Sequence, residues 1–199
     1  MKTNSTLLRS LLLAAGLFGL GASAYAQTGH DVQRNVNQQE RIEQGLKSGQ
    51  LNTREAAKLE REEAHVDQMQ ARALKDGHVS AQEQQRIDAA QNQVSHDIYR
   101  EKHDADVGNP NSASSKRMQA DVQRNVNQQK RIEQGVRSGE LTNREAGRLE
   151  RQEGHIAKRE ANAGADGHVG AHEQGRIQRA ENRESRRIHH AKNNDAVRG

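Results

Sequence analysis

Asp31-Val-Gln-Arg-Asn-Val-Asn-Gln-Gln39 returns unchanged at Asp121–Gln129, an offset of 90 residues. The register then holds without a gap: aligning 31–109 with 121–199 gives 42 identities in 79 positions. Self-similarity of this kind marks a duplicated structural unit rather than a single irregular domain. Between the copies, Ala105 to Arg117 is rich in small and polar residues and holds the one proline, Pro110. This stretch reads as a linker. The expected division is a leader at 1–26, a first unit at 27–104, a linker at 105–117 and a second unit at 118–199.

A shorter motif recurs twice within each unit. Gly49-Gln-Leu51-Asn52-Thr-Arg-Glu55 is followed by Gly77-His-Val79-Ser80-Ala-Gln-Glu83, and the second unit supplies Gly139 to Glu145 and Gly167 to Glu173. Glycine can take the left-handed position that ends a helix. The apolar residue two places on can staple the next helix, whose first turn is closed by a capping box such as Ser80 with Glu83. In the last corner Gly170 stands at the cap, which makes it the weakest of the four. Between corners, Val32, Val36, Ile42 and Leu46 recur at helical spacing, with Asn35 and Gln39 in the same seam. Ala56, Leu59, Val66 and Ala73 line a second helix, and Ile87, Ala90, Val94 and Ile98 a third. The expectation is an all-α chain: two tandem antiparallel three-helix units, with helices near 31–48, 53–75 and 81–104 and equivalents 90 residues later. Such thin apolar stripes suit an open or extended, marginally stable helical hairpin or coiled-coil bundle, or one that finishes its burial against a partner. The second unit carries Gly147, Gly154, Gly164, Gly170 and Gly175 where the first has Ala57, Ala64, Leu74, Ser80 and Gln85. Helix glycines cost up to ~1 kcal/mol each, so residues 121–199 are expected to melt first, or to fold only beside the first unit.

Lys2 and Arg9, the apolar run Leu11–Leu20 and Ala24-Tyr25-Ala26 have the form of an export signal cleaved near Ala26. A run of about ten apolar residues is too short to cross a hydrocarbon layer of ~30 Å. The mature chain is therefore expected in a periplasm or outside the cell. Removing Lys2 and Arg9 lowers the formal net charge from +4 to +2. Acids and bases are interspersed, as on solvated helix faces. Beyond residue 26 the 24 Leu, Ile and Val make up about 14% of 173 residues, and Tyr99 is the sole aromatic. That composition argues against an enzyme with a thick core and a dry pocket. No cysteine is present, which excludes disulfides and thiolate chemistry.

The corner Asp76-Gly77-His78-Val79-Ser80-Ala81-Gln82-Glu83 resembles the second half of an EF-hand loop. The resemblance implies Asp76, Ser80 and Glu83 as calcium ligands, although Arg72 and Leu74 stand where the family places its first oxygen ligands. The capping corner already accounts for all of these residues, which puts it ahead of calcium binding, and they are similar to short helical-hairpin modules at the ends of bacterial proteins, where no metal is involved. Of the ten histidines, His168 and His172 are four apart and are the nearest to a zinc, copper or nickel pair. On the last helix Arg176, Arg179, Arg183, Arg186 and Arg187, with His190, share one face, where the first unit has Arg86, Ala89, Gln93, His96 and Asp97. A row of arginines can dock phosphate or carboxylate groups of lipid head groups or an acidic partner. Nucleic acid is not expected, given the export signal and the lack of aromatics for stacking. Glu60, Glu62 and Glu63 stand beside Lys58 and Arg61 and are expected on a polar helix face, without the burial that acid–base chemistry requires.

As a whole the chain resembles small exported all-helical repeat proteins of proteobacteria. Leu141-Thr142-Asn-Arg-Glu145 is distantly similar to the Leu-Thr-x-x-Gln segments of periplasmic stress chaperones. The expected function is non-enzymatic binding or structural association with a protein or envelope component, without a cofactor, without spanning a membrane and with room for homo-oligomerisation. Divalent-ion buffering and holdase activity are the alternatives.

Overall fold

A computed structural model describes residues 19–196. Residues 1–18, which hold most of the expected export signal, lie outside the described residues. Among the described residues the fold is all-α, with six α-helices: α1 (Gly19–Ser48), α2 (Thr53–Ala73), α3 (Ala81–Lys102), α4 (Ala113–Ser138), α5 (Asn143–Ala163) and α6 (Ala171–Lys192). No helix among the described residues is long and apolar enough to cross a membrane.

The corners form as their residues dictate. Gly49, Gly77, Gly139 and Gly167 have φ between 79° and 93°, the left-handed conformation that a side chain disfavours. Asn52, Ser80 and Thr142 cap α2, α3 and α5, each in a reciprocal box with Glu55, Glu83 or Glu145. At α6 half of the box survives: Gly170 donates its backbone N–H to Glu173 at 2.9 Å, with no side chain to answer. Two limits differ from the sequence reading: α1 begins at Gly19 instead of near 31, and α4 at Ala113 instead of near 121. Ser112 caps α4 by accepting from the Ser115 N–H at 3.1 Å, so that helix begins inside the expected linker. The remaining connector is pinned down, with the Gly108 N–H donated to the Gly49 carbonyl at 2.8 Å.

The larger difference lies in how the helices pack. Self-contained three-helix units are the natural expectation, yet the most extensive pairings run between copies, α2 along α5 and α1 along α4. Helices α3 and α6 flank this four-helix centre, each against the first two helices of its own copy. The partner that the thin apolar stripes require is thus the other copy. Core residues are shared accordingly: Ile42, Leu59, Val66 and Ile98 join Met118, Val122, Ile156 and Ile177 in one cluster, and Val32 and Leu74 join Ile132, Leu141, Leu149 and Ile188 in another.

The second-copy glycines acquire a role here. A Cβ on Gly147 would lie 2.7 Å from the Leu74 Cβ, one on Gly154 3.0 Å from the Ala64 carbonyl oxygen, and one on Gly164 2.8 Å from the Ala57 Cβ. These glycines let α5 approach α2 closely, so their effect falls on the contact between copies rather than on the second copy alone. The corners at Gly77 and Gly167 also join the copies. The Asp76 carbonyl accepts from Arg144 and the Gly77 carbonyl from Asn143, while Arg54 donates to the Asp166 carbonyl at 3.1 Å in the equivalent place.

Candidate functional site

Two regions have chemistry that packing does not explain: a carboxyl-rich centre between the copies, and the basic face of the second copy.

Helices α2 and α5 cross with Glu60, Glu63 and Asp67 on one and Glu150, Glu153 and Glu160 on the other, all between 0% and 3% exposed. Asp121 on α4 and Glu181 and Glu184 on α6 add three more, each fully buried. Amide side chains of α1, α4 and α3 close around them. Gln39 donates to Glu60 at 3.1 Å and Asn125 to Glu160 at 2.6 Å. Asn35 donates to Asp67 at 3.2 Å and to Gln70 at 2.7 Å, while Gln91 donates to Asn35 at 2.7 Å. Cations reach the rim of this centre: Arg124 pairs with Glu181 at 2.9 Å and Arg187 with Glu184 at 3.0 Å. Among the described residues, every buried side-chain polar atom without a hydrogen-bond partner is an oxygen. Both carboxyl oxygens of Glu63 are among them.

A centre so rich in acceptors and poor in donors favours neutral carboxylic acids, since burial of an unpaired charge is far costlier than burial of a hydrogen-bonded acid. Burial raises Glu60 and Glu150 to about 7, against donated bonds from Gln39 and Gln129 that pull the other way. Burial likewise lifts Asp121 to about 7 and Glu181 to about 8. Glu63, Asp67, Glu153 and Glu160 stand well above the carboxylate range, by burial first and then by repulsion from neighbouring acids such as Glu60, Glu150 and Glu184. Glu60 and Glu160, and likewise Asp67 and Glu150, lie close enough across the α2–α5 contact to bear on one another's protonation. This corrects the expectation of a polar α2 face. Glu60 and Glu63 are interior, and of the three acids grouped there only Glu62 is partly exposed. The signal was present as Glu60, Glu63, Asp67 and Gln70 at spacings of 3, 4 and 3, a helical stripe beside Leu59 and Val66.

The ion-site candidates are placed as follows. Asp76 accepts from the His78 N–H at 3.0 Å, and Glu83 accepts from the backbone and hydroxyl of Ser80 at 2.9 and 2.6 Å, so both carboxylates serve the corner itself. His168 and His172 are exposed, as are the other eight histidines. Among the described residues, the three acids whose oxygens come close enough to share an ion are Glu55, Glu101 and Asp104, a group the sequence did not single out. Glu55 is already engaged by the Asn52 N–H at 2.8 Å, and Glu101 by Lys58 at 2.7 Å and Arg100 at 3.2 Å.

The arginine row stands where the helical wheel put it. Arg176, Arg179, Arg183, Arg186 and Arg187 are all exposed along α6, opposite buried Ile177, Ala180 and Ile188. Of the five, Arg187 is the one that enters a salt bridge among the described residues. Comparison with protein-family models, curated proteins and solved structures finds no match for this chain.

Proposed function

We propose that this is a non-enzymatic exported protein, periplasmic or secreted, built from a duplicated three-helix unit and acting by binding an acidic envelope component or protein. The observation that carries this reading is the exposed arginine row of α6, present in one copy and replaced by Ala89, Gln93, His96 and Asp97 in the other. Guanidinium groups spaced along one helix face present several donors to phosphate or carboxylate oxygens at once. Recognition through charge is also favoured because the apolar stripes are spent between the copies. Tyr99 and Val107 are the exposed large apolar residues among those described, which offers little to an unfolded client. The non-enzymatic reading is supported by the closure of the carboxyl centre, whose acids lie out of reach of a substrate.

The test is sedimentation with vesicles of phosphatidylglycerol and phosphatidylcholine at low salt, where surface charges act at longest range. The chain is expected to co-sediment, and Arg176→Gln/Arg179→Gln/Arg183→Gln/Arg186→Gln to remain in solution with an unchanged melting temperature. Equal sedimentation of the two proteins would remove the row from the account.

A further inference from the structure

A groove of about 480 Å³ runs between α5 and α6, beside the row but distinct from most of it. Arg148, Arg151, Arg187 and His190 flank it, and Leu149 and Ala191 supply apolar surface. We propose that this groove binds a small phosphate monoester carrying an apolar group. The inference rests on the reading of the second copy as the anion-recognising half, and it places a defined site there.

The duplication supplies the internal control. The same positions in the first copy are Lys58, Arg61, Asp97, Arg100, Leu59 and Glu101, and Glu62 and Asp104 stand where the groove has Gln152 and Asn194. One fold therefore carries an acidic lining in one copy and a basic lining in the other. The difference is specific in its consequences. In the first copy Lys58 is neutralised by Glu101 at 2.7 Å. In the second, Ala191 replaces that glutamate, which takes away the acid that would pair with Arg148 and leaves a methyl group on the groove floor. Arg187, in place of Asp97, is held by Gln152 at 2.9 Å and Glu184 at 3.0 Å, so its guanidinium is fixed before any ligand arrives. The one acid in the lining, Glu145, is occupied by the Thr142 N–H at 2.9 Å and by Asn194 at 2.7 Å. Arg148 and Arg151, which enter no salt bridge among the described residues, together with Arg187 and the apolar lining of Leu149 and Ala191, match a phosphate dianion joined to a hydrophobic group better than either part alone.

Titration of the full chain with phenyl phosphate, followed by calorimetry, tests this. Binding is expected, weaker for inorganic phosphate, with a loss of roughly tenfold or more in Arg148→Gln/Arg151→Gln. Ala191→Glu, which restores the first-copy pattern, is expected to weaken it similarly while the protein melts as before. Arg176→Gln/Arg179→Gln, outside the groove, is expected to leave it unchanged. Absence of binding, or a loss confined to Arg176→Gln/Arg179→Gln, would overturn the groove. Vesicle sedimentation is scored separately, so failure of the row and failure of the groove remain distinguishable.

Discussion

Glu60 and Glu150 occupy equivalent places, each fully buried, each accepting from a glutamine of the neighbouring first helix of its copy. Because the folded chain raises both to about 7, each favours folding while it is protonated and opposes it once it must ionise. Glutamine keeps the shape and accepts the same bonds without titrating. Glu60→Gln/Glu150→Gln is therefore expected to melt several degrees above the parent at pH 8 and close to it at pH 4, as circular dichroism would show. A lower melting temperature at both values would mean that these carboxyls are held as charges. In the sequence the two residues sit among Lys58, Arg61, Arg148 and Arg151, and a linear reading assigns such a run to solvent. What reverses this is which side of the helix each residue occupies, since Arg61 and Arg151 are exposed while the adjacent glutamates point inward.

At the scale of elements, local chemistry was legible and pairing was not. The four corners, their caps and most helix limits follow from residues within one turn of each other, so glycine, staple and capping box suffice to place them. Which helix lies against which depends on contacts far apart in the chain, such as Leu74 with Gly147 and Ala57 with Gly164, and thin stripes with amides in the seam fit either a separate bundle or an interlocked one. Glycine content was the clue least readable alone. Gly147 looks like a weakened helix until Leu74 is seen against it, and Gly164 likewise until Ala57 and Met118 are. Gly147→Ala is expected to destabilise by about 1–3 kcal/mol, because the Leu74 Cβ cannot withdraw without moving the backbone at the C-cap of α2. Gly175→Ala meets nothing closer than Arg179 Nη1 at 3.7 Å and is expected to stabilise by about 0.5–1 kcal/mol. Urea denaturation of the two variants checks the contrast, and similar effects would mean that helix propensity, not the crossing, sets their stability. The arginine row was fully legible because it needs only one helix; the groove was not, because it needs two.

The whole molecule is best described as two copies that complete one another around a centre of buried carboxyl groups. Interlocking of α1 with α4 and of α2 with α5 leaves little for either copy to fold upon alone, which favours the second of the two outcomes expected from the sequence, a second unit that folds only beside the first, and predicts a single transition. The centre adds a direction to the pH dependence. Carboxyls raised by burial contribute their stability in full below about pH 4, where the unfolded chain also binds the protons. That contribution is lost as pH rises through the folded values near 7 and 8. The most direct test is a thermal melt of the full chain across pH 4 to 8. The expected result is one cooperative transition whose midpoint is highest near pH 4 and falls by about 10 °C or more by pH 8. Two separated transitions, or a midpoint that rises with pH, would contradict the interlocked acidic centre.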